Sequence, residues 1–268
     1  MFDITTIFYL ILLGSFVGII SGLFGIGGGG IIVPVLTSIL LLNGFPLENV
    51  VHIALGTSMA TIIITSFSSF KSHNKKGAVR WDIVKLMVPG IIIGTFLATF
   101  IASNLNSFIL SICFAIFMTY SSIVMFFNKK PKSENKVFSP PKQIFAGSII
   151  GSLSSLVSIG GGILTVPYLI WQSIDIKKAI GTSSAVGFPI AIAGTIGYII
   201  NGWEYSSYES MMLGFVNIPS FIFIALCSYF TAPIGVSLAH KLPVNLLKKI
   251  FSLLPLILSI KLISNFLY

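Results

Sequence analysis

Only seven acidic residues occur in 268 positions, and charged residues of either sign make up 9% of the chain. A soluble domain of this size carries roughly a quarter. The scarcity is uneven. No Asp, Glu, Lys or Arg interrupts residues 4–47, 49–70, 86–128, 143–174, 179–203 or 210–240, and a shorter charge-free run covers 250–260. A spanning helix needs about 20 apolar residues, so most of these runs are long enough to cross a bilayer and the longest to cross it twice. With 55% hydrophobic residues and a mean hydropathy of +1.00, the chain reads as an all-α polytopic membrane protein. A β-barrel is excluded, because no segments of about ten residues alternate with period two.

Other absences narrow the function. The two cysteines, Cys113 and Cys227, sit inside apolar runs without metal or disulfide spacing and read as packing residues. The opening "MFDITTIFYL" has Asp3 where a cleaved signal would be basic, so the first apolar segment is expected to remain. There is no CxxC, no HExxH, no Gly-Lys-Ser/Thr and no elbowed Ser-His-Asp set, so no enzyme, cofactor or metal site is expected. No acidic or basic residue falls in mid-run, where a proton or cation pump usually carries a carboxylate. The net charge of +9 sits in short loops, as the positive-inside bias produces, and does not point to nucleic acid. Trp81, Trp171 and Trp203 mark the ends of apolar runs, where interfacial belts lie.

What the chain does have is glycine, placed twice in the same pattern. "LFGIGGGGIIVP" (23–34) returns as "LVSIGGGILTVP" (156–167), and "ALGTS" (54–58) returns as "AIGTS" (179–183). Gly18 and Ser21 match Gly151 and Ser154, and each half continues with a proline-bearing segment (Pro89, Pro219) and a last apolar helix. Residues 1–127 form a first membrane repeat and 143–268 a second, joined by the polar linker 128–142 on the cytoplasmic side. Two topologies fit. If each glycine segment crosses once, each half has four spans and the halves are parallel. If each is re-entrant, three full spans per half remain and the halves are inverted. The inverted arrangement puts every basic residue except Lys261 on one side, with Asp3, Glu48, Glu204 and Glu209 opposite, and is the better match to the positive-inside rule and to transporter architecture.

A glycine run costs about 1 kcal/mol per residue relative to alanine in a helix. Broken backbone at membrane depth is tolerated only where protein buries it or a polar cavity needs it. A break creates helix N-termini whose N–H groups attract anions, and glycine lets backbone approach a ligand. Close helix packing is the competing explanation. Gly27, Gly28, Gly29, Gly30, Gly160, Gly161 and Gly162 are therefore candidate substrate-binding residues for a small anion, with Thr57, Ser58, Thr182 and Ser183 as neutral donors. The hydroxyls read equally well as helix caps. Among the histidines, His73 in "KSHNKKG" reads as a solvated surface group. His52 and His240 read as interfacial, with proton coupling the less favoured alternative.

These motifs, with "KKGAVRW" (75–81) and "APIGVSLAHKLPVNLLKKIF" (232–251), resemble the sulfite exporter TauE/SafE family, also called the toluene-sulfonate uptake permease family. The resemblance covers nearly the whole chain. It implies a multi-pass permease of the bacterial plasma membrane moving sulfite, an organosulfonate or a related sulfur-containing or carboxylate anion. Its partners would be that anion and the bilayer. Direction, coupling ion and oligomeric state, including a homo-oligomer, stay open. An anion channel and a non-transporting membrane scaffold remain the alternatives. The first-half counterpart of residues 239–249, "ATFIASNLNS" (98–107), lacks charge and departs from a basic-loop role.

Overall fold

The computed structural model describes residues 3–127, 139–207, 211–241, 257 and 260–263. Most of the linker (128–138) and the end of the C-terminal motif (242–251) lie outside the described residues. In chain order the helices are α1 (Ile4–Phe24), α2 (Gly29–Leu42), α3 (Val50–Lys75), α4 (Trp81–Ser103), α5 (Ser107–Phe127), α6 (Pro140–Leu156), α7 (Gly162–Trp171), α8 (Ile176–Asn201) and α9 (Ile218–Lys241). A 3-10 turn, Trp203–Tyr205, and a small hairpin of β1 (Met212–Leu213) and β2 (Val216–Asn217) link α8 to α9. Among the described residues α1, α3, α4, α8 and α9 are long and apolar enough to cross a membrane. The chain is a multi-pass α-helical membrane protein.

Local chemistry sets where the glycine-bearing segments start and stop. Asp3 caps α1 by accepting the Thr6 N–H at 2.8 Å. Gly25, in the left-handed region at φ 68°, ends it. The Gly25 N–H then returns to the Ser21 carbonyl at 2.8 Å. Pro140 opens α6 from its first turn, where its missing N–H costs nothing. Residues 140–142 therefore belong to a helix rather than to the linker. Pro219 likewise stands in the first turn of α9, and the proline inside that helix is Pro233. Pro219 was expected in mid-segment; Pro89 does lie inside α4.

A side-chain hydrogen bond joins the two ends of each glycine-broken segment. Asn43, just past α2, donates from Nδ2 to Thr6 Oγ1 at the start of α1 (3.2 Å). In the second half Gln143 Nε2, at the start of α6, donates to Gln172 Oε1 just past α7 (2.7 Å). The limbs are unequal, since α1 has 21 residues and α2 has 14.

The halves interlock. α1 packs along α9, and α4 packs along α6. Gly14, Gly18 and Gly22 present a bare face to Ile224, Ser228 and Ala232, and a Cβ at Gly18 would stand 2.6 Å from the Ser228 carbonyl oxygen. Gly90 and Gly94 meet Ile144 and Ser148, while Gly151 meets Ile91. Small residues four apart allow this backbone approach in lipid, where hydrophobic burial between helices contributes little. Gly18→Leu is therefore expected to lower the detergent-stable, monodisperse yield at least several-fold, as size-exclusion chromatography would show. Between these pairs α3 and α8 run antiparallel: Gly194 faces Met59, and Ser69 Oγ donates to Ser184 Oγ at 3.1 Å.

Candidate functional site

The two breaks meet in the interior. The Gly160 N–H donates to the Ile26 carbonyl at 3.1 Å. A Cβ on Gly27 would lie 2.9 Å from Gly160 Cα, so here backbone packs on backbone. Gly28 (φ 86°) and Gly161 (φ 75°) are the N-caps of α2 and α7, in a left-handed conformation that favours glycine, and neither helix has a side-chain cap. Among the described residues no hydrogen bond reaches the N–H groups of Gly29, Gly30 or Gly162. Two helix N-termini thus open beside the crossing, each carrying positive partial charge.

The GTS boxes divide into two kinds of hydroxyl. Thr57 and Thr182 cap helices, but those of the opposite half. Thr57 Oγ1 accepts the Asn217 N–H at the entry to α9 (2.9 Å), and Thr182 Oγ1 accepts the Arg80 N–H at the entry to α4 (3.0 Å). Gly56 and Gly181 make room for these loops, since a Cβ on either would stand 2.5 Å from the carbonyl oxygen of Phe215 or Ala78. The adjacent serines face the breaks. Ser183 Oγ donates to the Gly25 carbonyl at 3.0 Å, whereas Ser58 Oγ is buried without a partner and stands 2.9 Å from where a Cβ on Gly29 would be. Ser158 Oγ, in the second break, donates to Leu55 O at 3.0 Å.

Of the residues singled out from sequence, Gly27, Gly29, Gly160, Gly162, Ser58 and Ser183 gather at the crossing. Gly28 and Gly161 shape it, Gly30 faces Met118 on α5, and Thr57 and Thr182 point to the partner half's loops. Sequence reasoning missed Ile62, whose Cγ2 would lie 3.0 Å from a Cβ on Gly27. It also missed Gly187, which occupies the matching place in α8 and approaches the Gly160 carbonyl. An isoleucine opposite a glycine at matched positions was the available signal.

The histidines differ from expectation. His73 is buried, not solvated: helix α3 continues through it, and its Nε2 lies 3.1 Å from the Gly22 carbonyl. His52 is a structural tie, with Nε2 2.9 Å from Leu105 O and its ring stacked on Phe215. Arg80, whose backbone N–H reaches the Thr182 hydroxyl, has its guanidinium engaged by Asp82 through two hydrogen bonds of 2.9 and 2.6 Å.

Crossed helix hairpins with bare glycine turns, set in a multi-pass bundle, define an integral membrane protein built around an internal backbone crossing. Residues 10–262 match the family model described as "Sulfite exporter TauE/SafE", and the chain belongs to that family. A "Probable membrane transporter protein" of Haemophilus influenzae is 36% identical, over 96% of this chain and 97% of its own length. The "Probable membrane transporter protein MJ0441" of Methanocaldococcus jannaschii is 31% identical, over 87% and 86% respectively. The "Probable membrane transporter protein YdhB" of Bacillus subtilis is 30% identical, over 76% and 84%. No solved structure matches.

Proposed function

We propose that the protein is a permease of the bacterial plasma membrane that moves a small oxyanion by alternating access, with sulfite and organosulfonates as the substrate class. The observation that carries the reading is the buried, unpartnered Ser58 hydroxyl beside the uncapped N-terminus of α2. A buried hydroxyl without a partner is costly. Free N–H groups at a helix start together with a spare O–H form a donor set complementary to an oxyanion. The equivalent position at α7 is less open, because Ser183 spends its proton on Gly25. The anion therefore sits nearer α2, held by the Gly29 and Gly30 N–H groups and Ser58, with Gly162 across the crossing.

In this reading each glycine segment is a re-entrant hairpin and the two halves are inverted, which the Thr6–Asn43 and Gln143–Gln172 ties support. The crossing itself is closed, as Gly27, Gly160 and Ile62 are all buried. A closed crossing favours a carrier over an open channel. The test is counterflow of radiolabelled sulfite into proteoliposomes, with methanesulfonate, sulfate and acetate as competitors. Saturable counterflow suppressed by unlabelled sulfite is expected; its absence from folded protein with all four anions would return the breaks to a packing role. Ser58→Ala should raise the half-saturation concentration roughly tenfold, the equivalent of one lost hydrogen bond. Its melting temperature should not fall, because no internal bond is removed.

A further inference from the structure

We propose that His73 and His240 together form a proton-binding site, and that the proton taken there is coupled to binding of the transported anion. The inference rests on the permease reading above. His240, on α9 of the second half, places Nε2 3.4 Å from Nδ1 of His73, on α3 of the first half. The Gly22 carbonyl on α1, 3.1 Å from His73 Nε2, can only accept, so that nitrogen carries the proton. Neutral His73 then has a bare Nδ1, which accepts the Nε2–H of His240. A proton added at Nδ1 removes that acceptor, so the inter-half tie between α3 and α9 holds in the neutral state and is broken by one proton.

The matched position in the second half shows what is specific to the first. There Tyr198 on α8 donates its hydroxyl to Ser155 O at 2.9 Å, the same hook from a long central helix to the last turn before a glycine break. One hook is fixed and the other titrates. The charges acting on the histidine pair are positive: Lys76 bears on both rings and Lys177 on His240. Around them, Lys71 and Lys75 on α3, Lys178 on α8 and Lys241 on α9 add like charge, and α1 contributes no charge at all. Asp175, beside Lys177, is engaged in capping the Lys177 N–H at 2.9 Å, and Asp82 is paired with Arg80. The anion site at Ser58 lies about 22 Å along α3 from His73, so the coupling runs through the α3–α9 tie that the proton breaks, and reciprocity requires that anion and proton favour each other by the same factor.

The test is the half-saturation of labelled methanesulfonate, which stays ionised near neutrality, or of sulfite if only sulfite shows counterflow. It is measured between pH 4.5 and pH 7 in wild type, His240→Gln and His73→Gln; comparison at each pH cancels any titration of the anion itself. Wild type is expected to bind several-fold more tightly at pH 4.5 than at pH 7, bounded by about tenfold per pH unit for one proton. Both variants should lose that slope. A wild type without the slope, or either variant retaining it, overturns the inference while the permease reading stands. So does loss of all flux at both pH values in His240→Gln, whose side chain is partly exposed, because the pair would then be purely structural. Wild-type protein without counterflow overturns the permease reading itself.

Discussion

Gly29→Ala is expected to abolish anion counterflow. A single methyl group there would overlap the carbonyl oxygen of Ser158, and its nearest carbon would be the Ser158 carbonyl carbon at 2.7 Å. Ser158 cannot step aside cheaply: it holds φ 49° and is anchored through Oγ to Leu55 O. The obstruction is backbone against backbone, so no rotamer change relieves it. Gly162→Ala should act alike, since its Cβ would stand 2.5 Å from Gly25 O. Overpacking of this kind costs about 1–3 kcal/mol in a well-packed core, enough to force the crossing apart while the surrounding helices still assemble. The control is Gly77→Asn, at φ 66° with nothing within 4 Å, where a residue tolerant of the left-handed region should leave flux intact. Wild-type counterflow from Gly29→Ala would show that the crossing is not on the transport route.

The second large effect is on stability. Thr57→Val and Thr182→Val keep the shape of the side chain and remove the acceptor for the Asn217 and Arg80 N–H groups. Thr57 and Asn217 are both buried, so that N–H would be left unsatisfied at about 1–3 kcal/mol. Because each bond ties one half's central helix to the other half's next helix, the loss should appear as a lower melting temperature in detergent, larger for Thr57→Val than for the less enclosed Thr182 site. Thr57→Ser should restore most of it. An unchanged melting temperature with a raised half-saturation would instead assign the hydroxyl to the substrate.

The helical, multi-pass architecture and the two breaks were legible because composition and a repeated glycine pattern carry them locally. Roles that depend on remote contacts were not. A threonine in a GTS box reads as a cap for its own helix, and nothing near Thr57 in sequence points to Asn217. His73 reads as solvent-facing from its Asn and Lys neighbours, yet α3 passes the last turn of α1, where the ring is buried with Nε2 against the Gly22 carbonyl. Pro219 reads as interrupting an apolar run because the hairpin at 212–217 is itself apolar and carries no charge to mark the helix start. The direction of α2 after its break was a choice between two charge distributions. The Thr6–Asn43 pairing, which no periodicity encodes, is the contact that supports the re-entrant choice proposed above.

The exchange of partners between halves bears on how the chain is made. When α1 enters the membrane, the helix that covers its glycine face does not yet exist; α9 is translated only after α8 and the small hairpin. Its row of Gly14, Gly18 and Gly22 must wait against lipid or a borrowed surface, whereas α4 meets α6 soon after it is made. Late closure of so remote a contact is expected to make α1–α9 pairing the slow step of assembly. A chain truncated before residue 218 should consequently be recognised as unfinished and degraded. Under the alternating-access reading proposed above, the bodies expected to move are not the two halves of the sequence but α1 with α9 and α4 with α6, which pack as pairs on either side of α3 and α8.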